Sequence, residues 1–558
     1  MDTRRLVLFV IFSFSIMMLW DAWQQKNRPV ATSIQQTSPQ ASVGAPFGDA
    51  TNASAVNNAN VNNEFKLENG QRVKVTTDLF TAEIDTIGGD LRHLILNKHR
   101  AANIKDGNFV LMDDAQKPML YIAQTGLLGA NLPNHKSIFT SSTNSYTLSD
   151  GADSQQVRLS WAGDGVSVDK VYTFKRGSYV IDVSYDINNG SANSISPSAY
   201  YQIVHDSQSK QGSALMPTFT GGAYFTDTDK FKKISFSDMD SEALAISSKD
   251  GWAGIIEHYF ASAWIPADKT AREIYTKKLN DNTYAIGLVT PAASIGAGSK
   301  ASINARLFAG PQTEKYLSAA APGLEYTVDY GWLTVVAKPL FWVLTKLHAL
   351  VGNWGVAIIL LTVLIKAAFY PLSAKSYRSM AQMRELAPRL QSMKEKFGDD
   401  KQKMQQAMME MYRTEKINPM SGCLPILIQI PVFIALYWMI LGSVELRHAP
   451  FFGWIQDLSA PDTLFGTLPW LNMPIGLLPI LMGATMIIQT SLNPAPTDPI
   501  QAQVMKVMPI VFSIFFFFFP AGLVLYWLVN NILSITQQWY VNKTIHAAAL
   551  AKKGNVKS

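Results

Sequence analysis

The sequence predicts a mixed fold with two parts, a polytopic α-helical membrane core of six transmembrane helices and a large antiparallel β-sandwich. Long apolar runs lie after about residue 350, and each approaches the roughly 20 residues that span a bilayer. Between about 65 and 320 the chain instead alternates short apolar and polar positions. Only 16% of the 558 residues are charged, which is low for a soluble domain. The sequence therefore separates a membrane part from a soluble part.

Residues 1–23 are predicted to form an N-terminal transmembrane anchor. Arg4 and Arg5 precede an apolar run at 6–20, the layout of either a signal sequence or an anchor. No small-x-small cleavage site follows, and Trp20 and Trp23 suit a membrane interface, so an uncleaved anchor is favoured. Residues 24–64 contain almost no large apolar side chain, which predicts a flexible linker.

Residues 65–322 are predicted to form the β domain. Val157, Leu159 and Trp161 alternate with polar residues, and similar runs occupy 171–174, 179–187 and 284–289. Turn-forming residues at 175–178 and 280–282 separate these runs. The pattern is typical of an antiparallel sandwich.

The remaining chain is predicted to be helical. Residues 323–350 indicate an amphipathic helix in the membrane interface, interrupted at Pro339, although two short docking helices would give the same pattern. Residues 351–541 are predicted to form the core of five further spans. These are 354–370, ended by Pro371; 423–441; a shorter one at 474–490; and two within 504–540, divided at 520–522.

The basic residues predict the orientation. The segment 373–417 carries ten Lys and Arg residues and is placed in the cytoplasm, whereas 442–473 has only Arg447 and is placed outside. Arg4, Arg5 and the basic tail at 542–558 then also lie inside, and the β domain lies in the periplasm of a Gram-negative-type envelope. Because these charges flank the apolar runs, no DNA partner is expected.

Lys366 is the most informative residue of the predicted core. A cation within an apolar helix needs water, a partner, or a route for snorkelling to the interface. Lys366 and Thr362 are one turn apart, so one interpretation is that they line a water-filled groove open to the cytoplasm. Gln429, near Pro431 in the third span, and Tyr526 and Asn530 in the sixth extend the polar pattern. Ordinary hydrogen bonding between helices is the alternative.

Acidic residues are absent from the five C-terminal spans as drawn. An ion-coupled transporter normally needs an intramembrane carboxylate, so this absence argues against one. The single cysteine, Cys423, excludes a disulfide framework and a cysteine-based metal site, and we expect no cofactor and no metal.

The cytoplasmic segment 373–417 is predicted to be a helical hairpin with Asp400 as an N-cap. Its methionines suggest an adaptable apolar surface, although they would equally pack the hairpin against itself. The residues predicted to recruit partners here are Glu385, Met380, Met383, Met404 and Met408.

A third class of protein, a membrane-anchored periplasmic enzyme acting on carbohydrate, would need an acid and a base. His205, or His258 beside Glu257, would supply them. No motif distinguishes these side chains from surface residues, so an enzyme is disfavoured.

Several motifs resemble the YidC/Oxa family over nearly the full chain. They are VDYGWL at 328–333, VGNWG at 351–355, YPL at 370–372, NP at 418–419, GC at 422–423, QIP at 429–431, GSVELR at 442–447 and GLVLY at 522–526. This sequence departs from the family pattern in having Lys366 in place of an arginine, so bidentate carboxylate binding is lost. It also has Trp527 in place of a second tyrosine, which keeps an aromatic contact without the hydroxyl.

The resemblance implies a membrane protein insertase and chaperone rather than an enzyme. It would act on nascent membrane proteins at the phospholipid bilayer, alone or with the Sec translocon (SecYEG and SecDF), and with the ribosome and the signal-recognition-particle receptor. It also implies that the β domain is a supersandwich similar to sugar-mutarotase folds. A positive groove would attract acidic residues of an incoming chain, which gives Lys366 its expected role.

Overall fold

The computed structural model describes residues 67–555, except for 102–106, 115–119, 208–217, 267–269, 281, 398–399, 416–423 and 494–498. The predicted anchor at 1–23, the predicted linker at 24–64 and Cys423 lie outside the described residues. The described chain falls into two compact units: a β unit at 67–329 with 442–445, and a helical unit at 330–441 with 446–555.

The β unit contains two large sheets. Their strands are β1 (Arg72–Thr76), β2 (Phe80–Asp85), β3 (Asp90–Arg100), β4 (Asn108–Met112), β5 (Tyr121–Leu128), β6 (Thr140–Ser141), β7 (Ser145–Thr147), β8 (Ser154–Gly163), β9 (Val166–Lys175), β10 (Val180–Asn189), β11 (Ser198–Asp206), β12 (Gly221–Thr226), β13 (Lys230–Ile234), β14 (Ala245–Ser248), β15 (Trp252–Ile256), β16 (Phe260–Pro266), β17 (Arg272–Asn280), β18 (Thr283–Val289) and β19 (Lys300–Pro311). The first sheet has the order β14-β17-β18-β11-β5-β3-β2-β1-β7, with β4 also paired to β3, and the second has the order β13-β12-β15-β16-β19-β10-β9-β8-β6. Two short helices, α1 (Phe236–Ser241) and α2 (Glu314–Ala320), complete the unit.

Alternating burial explains these strands. On β8, Val157 and Leu159 are buried while Arg158 between them is exposed, as the sequence pattern predicts. Among the strands that the structure describes, every pair is antiparallel except that of β1 with β7. The core lies between the sheets, where Thr125 of β5 and Tyr185 of β10 share a hydrogen bond of 3.2 Å. The prediction of a large antiparallel β region is confirmed.

A 3-10 turn at Leu324–Thr327 lies near the end of the β unit, and a second one at Gly331–Leu333 begins the helical unit. Its helices are α3 (Thr334–Val351), α4 (Trp354–Ala368), α5 (Tyr370–Glu385), α6 (Ala387–Phe397), α7 (Lys401–Thr414), α8 (Leu424–Gly442), α9 (Leu477–Ser491), α10 (Pro499–Phe516) and α11 (Ala521–Asn555). A small hairpin of β20 (Thr467–Leu468) and β21 (Met473–Pro474) lies between α8 and α9.

The prediction that Pro339 interrupts the helix at 323–350 is wrong. Pro339 is the sixth residue of the continuous helix α3. Proline removes only one backbone donor, and a helix can continue when that single missing bond is tolerated. Pro371, in contrast, is the second residue of α5, where its missing N–H has no intrahelical acceptor to lose. The chain bends by 66° between α4 and α5.

Judged by length and hydropathy, one described helix could cross a membrane, α3, and the bent pair α4 and α5 would add a second. Apolar stretches in α8, α9 and α10 are shorter. The division of 504–540 near Pro520 agrees with the end of α10 and the start of α11. The count of six transmembrane helices stays a prediction.

Candidate functional site

Lys366 lies in the last turn of α4 and extends toward α11. Its Nζ donates a hydrogen bond of 2.7 Å to Oγ of Ser534. Ser534 is buried and donates in turn to the carbonyl of Asn530, one turn earlier, at 2.7 Å. The ammonium group is therefore held by a polar side chain of another helix, because α11 presents Asn530 and Ser534 on one face.

Gln429 of α8 joins the same group of side chains. Its Nε2 donates to Oδ1 of the buried Asn530. Lys366, Gln429, Asn530 and Ser534 thus form a connected set across α4, α8 and α11, which we call the polar cluster. Pro431 lies two residues after Gln429 inside α8 and is half-buried. Buried polar groups need such partners when no water reaches them.

Thr362 has a different environment from the one expected. It is fully buried, and its Oγ1 donates to the carbonyl of Ile358 at 2.7 Å. The hydroxyl is satisfied within its own helix and needs no water. In this structure Thr362 lies on the same helix face as Lys366 but does not line an open groove.

The two aromatic residues of α11 are packed. Tyr526 is buried. The ring of Trp527 lies 4.6 Å from that of Phe433 at an interplanar angle of 83°, and 5.4 Å from that of Phe516. Trp527 therefore belongs to an aromatic group between α8, α10 and α11, a geometry that edge-to-face contacts favour.

Sequence reasoning missed the partners on α9 and in the turn after it. Asn531 donates to Oγ1 of Thr485 at 3.2 Å, and Gln538 donates to Oδ1 of Asn493 at 3.2 Å. The polar residues of α11 at helical spacing were visible in the sequence, but nothing in it indicates that these side chains face a second helix.

The segment 373–417 contains most of α5 and the whole of α6 and α7. The predicted N-cap is confirmed, because Oδ1 of Asp400 accepts from the backbone N–H of Lys403 at 3.1 Å. Met380 is buried and packs with Tyr377 and Val541, so it is not part of an open surface here. Glu385 is exposed, and the three other selected residues are half-buried: Met383, Met404 and Met408.

In the β unit Glu257 pairs with His205, and not with His258 beside it as the sequence offered. Nε2 of His205 lies 3.4 Å from Oε1 of Glu257, and both side chains are largely buried. Burial by itself lowers the pKa of His205. The hydrogen bond and charge of Glu257, together with Asp206, have a larger and opposite effect, so the pKa of His205 lies above its usual value of 6.5. The ring of His258 instead stacks on Tyr259 at 3.8 Å.

Comparison with known proteins decides the family. A protein of Methylobacillus flagellatus named membrane protein insertase YidC is 62% identical over 562 residues, covering 100% of both chains. The chain belongs to the YidC family. A Nitrosospira multiformis protein of the same name is 48% identical over 571 residues, covering 98% of each chain.

Two family models of YidC proteins match most of the sequence. The YidC periplasmic domain matches residues 72–343, and the 60Kd inner membrane protein matches residues 346–548. A crystal structure of an active YidC insertase with its first transmembrane domain resolved has 19% identity and a TM-score of 0.39, covering 85% of this chain and 93% of that one. The chain is an inner-membrane protein with a periplasmic domain. The family is one of insertases and not of enzymes.

Proposed function

We propose that this chain is a membrane protein insertase and chaperone that receives nascent inner-membrane proteins at the polar cluster. The observation that carries the proposal is the hydrogen bond of 2.7 Å from Lys366 to Ser534, which holds a cation between apolar helices. Intramembrane ionisable groups are costly and mark functional sites more often than structural ones.

The chemistry of the cluster favours an acidic or polar incoming segment. Lys366 supplies positive charge, Gln429, Asn530 and Ser534 supply hydrogen-bonding groups, and the five spans contain no Asp or Glu to neutralise it. A short tail with a carboxylate would gain a partner part-way across the bilayer, which reduces the thickness of hydrocarbon that it must cross uncompensated. Lys366 is a point charge without the planar fork of arginine, so its attraction would depend little on orientation.

The same proposal includes the finer topology and partners. The chain would cross the membrane six times with both termini in the cytoplasm, and the polar cluster would open to that side as a hydrated groove. Substrates would arrive from the ribosome or the signal-recognition-particle receptor, with or without SecYEG and SecDF. The segment 373–417 would meet them first, through Glu385 and the half-buried methionines.

The experiment is insertion of small one- or two-span substrates in cells depleted of their own insertase. Wild type is compared at equal expression with Lys366→Ala, Lys366→Glu, Ser534→Ala and the control Lys506→Ala, which removes an exposed cation at the eighth residue of α10. We expect both Lys366 variants to fail for substrates with acidic translocated tails and to retain insertion of uncharged ones. Ser534→Ala should give a smaller loss, and Lys506→Ala none. If both Lys366 variants insert acidic tails as well as wild type, the charge has no role and Lys366 is a snorkelling anchor.

A further inference from the structure

The segment 446–476 between α8 and α9 has a folded backbone that is bound to the start of α11. The N–H of Ala521 donates to the carbonyl of Ala460 at 2.8 Å, and the N–H of Gly522 donates to that of Leu458 at 2.9 Å. The first N–H groups of a helix have no acceptor in their own helix, so this segment supplies them. The segment is thereby fixed at one end of the helical unit.

Asp462 is the central polar residue of this segment. Its buried carboxylate accepts from the backbone N–H of Leu478 at 2.9 Å, which caps α9, and from Nε1 of Trp454 at 3.2 Å. It also accepts from the N–H of Leu464 at 3.1 Å, at the base of the following loop. The carboxylate therefore fixes the base of that loop against the start of α9.

Residues 463–476, which we call the apolar tip, contain no charged side chain. Their backbone is paired within the tip, because Phe465 donates to Ile475 at 2.9 Å and Ile475 donates to Gly466 at 2.8 Å. Their large side chains are nevertheless exposed: Trp470 by 80%, Phe465 by 58% and Leu471 by 55%. A closed backbone that presents apolar side chains has the chemistry needed in a medium poor in water.

We propose that the apolar tip inserts into the headgroup–acyl boundary of the outer leaflet and fixes the helical unit in the bilayer. The position of the apolar tip favours lipid over a protein partner, because the tip lies in the connection from the end of the apolar helix α8 to the start of the apolar helix α9. Tryptophan and phenylalanine favour this boundary, where a segment enters by about 5–10 Å. The two acidic residues of the segment 446–476 already have partners: Oδ2 of Asp457 lies 3.1 Å from Nδ1 of His448, and Asp462 accepts the hydrogen bonds described above. The inference rests on the proposed membrane arrangement but not on the polar cluster.

The test measures depth in the bilayer at single spin labels. The sole cysteine is removed by Cys423→Ser, and the full-length chain then receives Trp470→Cys or Phe465→Cys, each labelled with a nitroxide in nanodiscs of phosphatidylethanolamine and phosphatidylglycerol. Gln456→Cys, an exposed polar site of the same segment, is the aqueous control, and Ile488→Cys, exposed on α9, is the hydrocarbon reference. Collision with oxygen and with a water-soluble nickel chelate is measured at each site.

We expect the ratio of oxygen to nickel collisions at Trp470 and Phe465 to exceed that at Gln456 several-fold and to remain below that at Ile488. A ratio equal to that at Gln456 would place the tip in water and overturn the inference. Low collision with both reagents would indicate a protein contact and would also overturn it. Nickel access at Ile488 would contradict the membrane arrangement itself. Insertion activity of the same labelled proteins tests the proposed function separately.

Discussion

Asp90 and Lys170 are oppositely charged residues enclosed between the two sheets of the β unit. Nζ of Lys170 donates to the carbonyls of Gly88 at 2.9 Å and Thr125 at 3.2 Å, and it lies 3.9 Å from Oδ1 of Asp90. Both side chains are fully buried. Burial raises the pKa of Asp90 and lowers the pKa of Lys170, since each charge is removed from water. Lys170 therefore depends on Asp90 as its counter-charge, while Asp90 also lies 3.8 Å from Nη2 of Arg92.

Asp90→Asn should destabilise the β unit by about 3–5 kcal/mol, because it leaves the ammonium of Lys170 buried without its counter-charge. Pulse proteolysis of the full-length protein in urea would measure the change through the β-unit fragment. The control is Asp182→Asn, which breaks the 2.6 Å pair with Lys175 at the surface and should cost less than about 1 kcal/mol. Equal losses of stability in the two variants would mean that the buried ammonium of Lys170 does not need Asp90 as its counter-charge.

His135 should make the β unit sensitive to acid. Burial, with nearby positive charges on Lys136, Lys170 and Arg92, lowers the pKa of His135 to about 4. As pH falls from 6.5 towards 4, the unfolded chain binds a proton that the folded chain does not, so folding stability falls by up to about 3 kcal/mol. The urea midpoint should therefore decrease less between pH 7 and pH 4.5 in His135→Asn than in wild type. If the urea midpoints of His135→Asn and wild type decrease by the same amount, protonation of His135 is not a cause of the acid sensitivity.

At the scale of elements, α9 and α10 approach each other at Gly483. A Cβ added there would lie 2.5 Å from Oγ and 2.8 Å from Cβ of Ser513, whose hydroxyl donates to the carbonyl of Pro479 at 3.0 Å. Small residues permit such close packing of helices in membranes. Gly483→Leu should thus lower the thermal unfolding temperature in detergent by several degrees, whereas Ala484→Leu, one residue on and exposed, should leave it nearly unchanged. A similar loss in both variants would show that the added volume, and not the contact, is responsible.

The sequence predicted the elements best where local pattern alone determines them. The alternation at Val157 and Leu159 and the helix cap at Asp400 each depend only on residues within a few positions along the chain. Pro339 misled because a proline's effect depends on whether the surrounding helix tolerates one lost bond. Ser534 lies 168 positions from Lys366, and its role as hydrogen-bond partner could not be read from either helix alone. The sequence identified the polar face of α11, but only packing shows which helix that face meets.

At the scale of the whole molecule, the charges of the segments between the predicted spans have to agree with one orientation in the membrane. The segment 373–417 carries the ten Lys and Arg residues expected in the cytoplasm, while 442–473 has only Arg447. The proposed insertase needs this arrangement, since the polar cluster must receive chains made in the cytoplasm and the β unit must lie across the membrane from them.

Labelling from one side of the membrane should therefore separate the loops. In a Cys423→Ser background, Gln456→Cys and Ser160→Cys are both exposed, and a membrane-impermeant maleimide should modify them in intact spheroplasts. Gln406→Cys, exposed on α7, should react only after the membrane is opened. Reaction of Gln406→Cys in intact spheroplasts would reverse the orientation, and the polar cluster would then open to the wrong side. Because moving the 45 mostly polar residues of the segment 373–417, with their ten cations, through hydrocarbon is prohibitively costly, we expect no mixture of the two orientations.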